Sequence, residues 1–102
     1  EALLQEAIHN QRPQFRKSRP AAILSYSVLF PKQFLDHCQS WLSSTEMPMW
    51  ECRYACWLAL ERIFNQLPPA EHSQWFEVLS DQVDPEPLVQ LRHQQFLQSR
   101  AA

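Results

Sequence analysis

The chain has 102 residues, 45% hydrophobic and 20% charged, with a net charge of −2 and no glycine. These values fit a single globular domain, 1–102, large enough to bury a core without disulfides or metal. No apolar run is long enough to span a membrane, and the lack of glycine counts against hairpins and phosphate-binding loops, which favours an all-α fold.

The N-terminal region is predicted to be a short helix followed by a basic connector. Leu3, Leu4 and Ile8 recur at helical spacing, and the pattern ends before Pro13. The segment 12–19 has no hydrophobic period and carries four basic residues. We therefore expect 12–19 to be a basic connector that crosses the surface of the domain.

Residues 21–30 fit two kinds of secondary structure. Ala22, Ile23 and Tyr26 lie on one helical stripe, whereas Tyr26, Val28 and Phe30 alternate as in a strand. A helix is favoured because no other segment offers a strand to pair with. A strand at this position would imply a sheet formed between molecules.

The central part of the chain is predicted to contain two helices. Pro31 opens an amphipathic helix that carries Phe34, Cys38 and Trp41 on its apolar face. The next segment, 48–66, has apolar residues over most of its circumference. Such a helix is normally surrounded by others, so it is expected at the centre of the fold.

Two further helices are predicted after the central one. Pro69 opens the first, and the sequence from Asp84 to Pro87 opens the second. The predicted fold is an all-α, compact bundle of five or six short helices around the apolar helix 48–66. Because the chain begins with Glu1, it is consistent with a piece of a longer protein.

The cysteines raise the question of a metal site. Cys52 and Cys56 are one helical turn apart and could bind zinc together with His37 and Cys38. All three cysteines lie in apolar stripes, however, so core packing is the favoured interpretation. We predict no metal, no cofactor and no catalytic residue. Because the number of cysteines is odd, and because Cys52 and Cys56 at helical spacing would form a disulfide only with strain, we expect the cytoplasm or another reducing intracellular compartment. The lack of a long apolar run predicts a soluble protein.

Two groups of residues are candidates for partner binding. The first is the basic segment, which can contact phosphates or an acidic protein partner through Arg12, Phe15, Arg16, Lys17 and Arg19. The second is the start of the central helix, where adaptable apolar side chains form a contact surface: Met47, Met49 and Trp50.

The residues by themselves predict a non-enzymatic helical protein-interaction module, such as an accessory subunit, an adaptor or a small chaperone-like partner. Its partner is expected to be another protein chain or a second copy of itself, and not a membrane. The alternative is a helical nucleic-acid-binding or transcription-linked domain that uses the basic segment 12–19.

Overall fold

Proline residues open three of the six α-helices in residues 1–101, the part of the chain that the computed structural model describes. The α-helices are α1 (Ala2–His9), α2 (Ser18–Leu29), α3 (Pro31–Trp41), α4 (Trp50–Ile63), α5 (Pro69–Ser80) and α6 (Pro87–Ala101). Short 3₁₀ helices cover Pro13–Phe15 and Phe64–Gln66, and no strand occurs within residues 1–101. The predicted all-α bundle of five or six short helices is confirmed.

The central position of α4 is also as predicted. This helix packs against α2, α3 and α6. Its buried side chains lie on more than one face of the helix and include Cys52, Cys56, Trp57, Leu60 and Ile63. Full burial of a large apolar side chain contributes about 1.5–3 kcal/mol of transfer free energy, so the apolar circumference of α4 accounts for its place in the core.

The helical interpretation of residues 21–30 is confirmed, and the strand alternative is wrong. Helix α2 extends to Leu29 and buries Ile23 and Tyr26 against α1 and α4. The Tyr26 hydroxyl donates a hydrogen bond to Oε2 of Glu1 over 2.7 Å and accepts one from Gln5. These contacts join α1 to α2.

The basic segment is more ordered than a plain connector. Pro13–Phe15 forms a 3₁₀ helix, and α2 begins at Ser18, before Pro20. Proline is tolerated in the first turn of a helix because its missing N–H has no partner there. Arg19 therefore lies on α2, and its side chain is directed by a helix.

The two C-terminal helices differ in how they pack. Helix α6 buries Val89 and Phe96, and the Phe96 ring lies 5.5 Å from that of Trp57. Helix α5 has one fully buried side chain among its residues, Leu79. None of the helices in residues 1–101 has the length and apolar character that crossing a membrane requires.

Candidate functional site

Two buried arginines hold the segment that precedes α4. The first, Arg53, lies one turn into α4 and is 3% exposed. Its Nε and Nη2 donate to the two carboxylate oxygens of Asp84 over 2.7 and 3.1 Å. Its Nη1 donates to the backbone carbonyls of Met47 and Pro48 over 2.8 and 3.0 Å. The charge and the donors of Arg53 are thus used within the fold.

The second buried arginine, Arg19, has no such ion pair. Its Nε donates to the carbonyl of Ile8 over 2.6 Å. Nη2 lies 3.4 Å from the Met47 sulfur, and Nη1 lies 3.5 Å from the Gln11 amide oxygen and 3.9 Å from the Met49 sulfur. No carboxylate of residues 1–101 comes within ion-pair distance of it. A buried charge without a counter-charge is costly, so Arg19 can gain from an incoming anion.

An open groove of about 350 Å³ lies beside Arg19, between the basic segment and the residues before α4. We call it the cationic groove, and its lining residues are Asn10, Gln11, Arg12, Pro13, Arg16, Arg19, Pro48 and Met49. Arg12 and Arg16 are exposed, whereas Arg19 is buried. Three arginines and no acidic residue line this groove, and Arg16 among them is paired with Glu51 at its edge. The remaining positive charge makes the groove attractive to anions.

A second groove, of about 410 Å³, lies between α2, α4 and α6. We call it the apolar groove, and its lining residues are Pro20, Leu24, Trp50, Glu51, Tyr54, Ala55, Leu58 and Leu88. Trp50 and Tyr54 are half-buried, and their rings meet edge to face with centroids 6.3 Å apart. The groove offers aromatic and aliphatic surface to an apolar ligand.

The two grooves are neighbours. Arg19 and Pro20, consecutive in α2, line different grooves, and so do Met49 and Trp50 at the start of α4. Between them, Nη2 of Arg16 lies 3.6 Å from Oε2 of Glu51. The grooves therefore adjoin at this ion pair, and we treat them together as one two-groove site, with an apolar part and a cationic part. Such a site suits a ligand that has a large apolar body and an acidic group.

The structure brings together part of the two groups of residues that the sequence suggested. Arg12, Arg16 and Arg19 line the same groove as Met49, and Trp50 lines the adjacent groove. The remaining residues lie elsewhere. Phe15 is half-buried and Lys17 is exposed, and neither lines a groove described here.

Met47 differs from the expectation of an exposed contact residue. Its side chain is fully buried, and its sulfur accepts from Arg19 while its carbonyl accepts from Arg53. Met47 therefore positions the two arginines and cannot touch a ligand directly. Burial follows from its location between the two guanidinium groups, which sequence periodicity does not reveal.

Sequence reasoning missed Arg53 and Asp84 as a pair. A signal existed, because Arg53 interrupts the apolar circumference of the central helix, where an arginine is stable only with a counter-charge. The sequence predicts Asp84 as the residue that opens the last helix, and its carboxylate accepts a hydrogen bond from the Glu86 N–H over 2.9 Å. The pairing itself depends on how α4 and α6 pack.

The cysteines lie in the core, as the favoured interpretation predicted. Cys38, Cys52 and Cys56 are buried and form no disulfide. Burial raises the pKa of the Cys38 thiol to about 12 and also raises the pKa of Cys52 and of Cys56. Protonated, buried thiols are poor nucleophiles. Within residues 1–101, no three His, Cys, Asp or Glu side chains are grouped so that they could hold a metal ion.

Another groove, of about 620 Å³, lies along α5. Its walls include the rings of Phe64, His72 and Phe76 and the carboxylates of Glu77 and Asp81. Because these carboxylates repel negative charge, this groove is a poor site for an acidic ligand. The cationic and apolar grooves together remain the better candidate site.

Comparison with known proteins identifies relatives but no matching structure. The chain is 33% identical over 99 residues, 97% of its length, to a protein of a Synechococcus species named bilin biosynthesis protein CpeY. It is 38% identical over 60 residues to an uncharacterised phycocyanin operon protein Y of Pseudanabaena tenuis. These matches cover 21% and 14% of the two relatives, so the chain spans about a fifth of the length of CpeY and less of the other relative. No protein-family model and no solved structure matches it.

These relatives correct two predictions made from the sequence. A relative that matches nearly the whole chain is named for bilin biosynthesis, which is an enzymatic function. The prediction of a non-enzymatic interaction module is therefore wrong, as is the nucleic-acid-binding alternative. Both predictions rested on elimination, since no catalytic motif is visible in the chain.

Proposed function

We propose that this chain is part of a bilin-biosynthesis protein and that its two-groove site binds the bilin. The observation that carries the proposal is the match to bilin biosynthesis protein CpeY along 97% of the chain. Because the chain spans only 21% of that relative, we assign to it the binding of the bilin and not the whole reaction.

The chemistry of a bilin fits the apolar groove. A bilin is a linear tetrapyrrole whose conjugated rings have large apolar faces. Trp50 and Tyr54 offer aromatic surface to such rings, and Leu24, Leu58 and Leu88 offer aliphatic surface. Aromatic pairs contribute about 0.5–1.5 kcal/mol beyond the free energy of area burial, so ring stacking here favours bilin binding.

Binding of the bilin to this chain is proposed to be non-covalent. Covalent attachment to a cysteine needs an accessible thiolate, and the three thiols here are buried with raised pKa values. Bilin bound to this chain should therefore be released when the protein is denatured in acid. Retention of the colour on the denatured chain would contradict this part of the proposal.

A protein partner is also proposed. The second relative is named for the phycocyanin operon, and the partner suggested by that name is a phycocyanin chain. We expect the bilin-loaded chain to associate with a phycocyanin apoprotein, measured by co-elution in size-exclusion chromatography. Equal co-elution with an unrelated protein of similar size would count against phycocyanin as the partner.

The test of bilin binding uses matched variants on α6. Leu88 lines the apolar groove and is 51% exposed, whereas Leu91 lies one turn further along, is 52% exposed and does not line it. Biliverdin is titrated into the chain, and its visible absorption and the quenching of tryptophan fluorescence are followed. We expect Leu88→Glu to weaken binding about tenfold through lost apolar contact and added repulsion of the acidic bilin. Leu91→Glu should bind as the parent chain does.

A second pair of variants tests the aromatic surface. Trp50→Ala should weaken biliverdin binding about tenfold, since it removes the largest ring of the groove. Trp75→Ala removes a half-buried tryptophan of α5 that lines neither groove, so it should change binding little. Absence of any spectral change at about 100 μM biliverdin would overturn the proposed function, because the dissociation constant would then exceed that concentration and be too weak for a specific site.

A further inference from the structure

Arg19 and Arg53 are both buried, but their partners differ. Arg53 contacts the carboxylate of Asp84, whereas Arg19 contacts one backbone carbonyl, one side-chain amide and two sulfurs. Thioether sulfur is a weak acceptor, and 3.5 Å is the long limit of a hydrogen bond to the Gln11 amide oxygen. The Nη1 donors of Arg19 are therefore weakly engaged. Arg19 is also a lining residue of the open cationic groove.

We propose that the cationic groove binds a propionate carboxylate of the bilin, an inference that rests on the proposed function. Arg19 is the buried anchor, and Arg12 and Arg16 are the exposed arginines that complete the subsite. A planar guanidinium matches a carboxylate through paired, charge-assisted hydrogen bonds. The ligand supplies the negative charge that Arg19 lacks in the unliganded fold.

The position of this subsite relative to the apolar groove supports the assignment. Consecutive residues line the two grooves, both within α2 and where the chain enters α4, so a ligand in the apolar groove has the cationic groove beside it. A bilin carries its propionates on the same molecule as its apolar rings. One molecule can therefore fill both grooves, with its rings at Trp50 and a carboxylate at Arg19.

Glu51 gives the site a direction. Its carboxylate lines the apolar groove and pairs with Arg16 at the boundary between the grooves. A propionate placed in the apolar groove would meet this like charge and would be repelled. A propionate in the cationic groove meets Arg12 and Arg19 instead, together with Arg16, whose charge Glu51 partly compensates. The charge pattern therefore selects one orientation of the bilin.

The experiment compares biliverdin with its dimethyl ester, in which the same ring system carries no free carboxylate. The parent chain is expected to bind the acid about tenfold more tightly than the ester, as expected for one charge-assisted contact with a partly buried guanidinium. The double variant R12A/R16A should reduce this preference to about threefold or less, because it removes the exposed pair of the subsite.

Lys17→Ala is the matched control. Lys17 belongs to the same basic segment and carries the same charge, but it does not line the cationic groove. The preference for the acid should survive this substitution. If Lys17→Ala reduces the preference as much as R12A/R16A does, the effect is one of net charge, and the assigned subsite is wrong.

Arg19→Met tests the anchor directly. Methionine keeps an unbranched side chain of similar reach, and circular dichroism shows whether the variant folds. A folded variant should bind the acid and the ester equally. Should the variant not fold, the comparison between R12A/R16A and K17A still decides the proposal.

The outcomes separate this proposal from the proposed function. Binding of the ester as tightly as the acid would overturn the carboxylate subsite and leave bilin binding in place. Failure of both to bind would overturn both proposals. Glutarate, which has carboxylates and no ring system, should not displace biliverdin at equal concentration. Displacement by glutarate would mean that the groove recognises a free acid, and it would overturn the assignment to the bilin.

Discussion

Arg53 and Asp84 form a two-point ion pair, with N–O distances of 2.7 and 3.1 Å, and their side chains are only 4% and 6% exposed. This pair joins the start of α4 to the segment that leads into α6. The same guanidinium also binds the carbonyls of Met47 and Pro48. A single side chain therefore fixes the backbone on which the candidate site is built.

Removal of one partner of this pair should strongly destabilise the fold. Arg53→Met leaves Asp84 buried without a counter-charge, and such losses cost about 3–5 kcal/mol. The free energy of unfolding is measured by urea denaturation. As a control, Arg16→Ala breaks the exposed pair with Glu51, which should cost less than about 1 kcal/mol.

A double-mutant cycle separates the ion pair from simple loss of packing. Each single substitution, Arg53→Met or Asp84→Asn, leaves one buried charge unpaired. The double variant leaves none, so it should cost less free energy of unfolding than the sum of the two single substitutions. Additive costs would show that the pair contributes no coupling energy to the fold.

The thiols should react slowly in the native protein. Burial raises the pKa of Cys38 to about 12 and raises the pKa of Cys52 and Cys56, so the thiolate fraction near neutral pH is very small. We expect labelling by a thiol-specific reagent to be slow in buffer and fast in denaturing urea. Rapid labelling of any of the three in the native chain would contradict this prediction.

Stability should decline as the pH falls below the ordinary pKa of histidine. His93 is 2% exposed, and its ring stacks on Trp57 with a centroid distance of 4.2 Å. Burial lowers its pKa, an effect that the Leu79 backbone and Asp84 partly reduce. The unfolded chain therefore takes up the proton first as the pH falls. Stability is complete above about pH 6.5 and is lost progressively as the pH falls from there toward the folded pKa.

His93→Phe tests the source of this pH dependence. The variant should lose less stability than the parent chain between about pH 8 and pH 5, measured as the urea midpoint at each value. His9 also has a pKa that burial, and then Arg19, lowers, so a smaller dependence should remain. An unchanged pH dependence in the variant would exclude His93 as a contributor.

The anchoring of α5 should depend on Leu79. It is the fully buried residue of that helix, and Leu→Ala substitutions at such positions cost about 2–5 kcal/mol. Val83 follows the same helix and is 85% exposed, so Val83→Ala should change the free energy of unfolding by less than about 0.5 kcal/mol. Hydrogen exchange of the α5 amides should be faster in Leu79→Ala, and equal exchange rates would contradict the anchoring role.

The sequence determined the helical class and the place of the central helix. Absence of glycine and the positions of Pro31 and Pro69 predict helices and two of their starts, because both act through local backbone conformation. The last helix is predicted to start directly after Asp84, but it begins at Pro87. The apolar circumference of 48–66 predicts burial, because periodicity reports which faces must leave water. Periodicity alone left residues 21–30 ambiguous, and the lack of a strand to pair with correctly favoured the helix.

The candidate site was decided by the tertiary structure. Arg19 meets Met49 across 30 positions, and Arg53 meets Asp84 across 31. Local periodicity gives the face on which each residue lies, but it does not give the packing that brings two faces together. For the same reason, the sequence suggested Met47 as an exposed contact residue, whereas packing buries it between two arginines. The sequence predicts Arg19 to be part of a solvated basic segment, whereas in the structure it lies on α2 and is buried without a counter-charge.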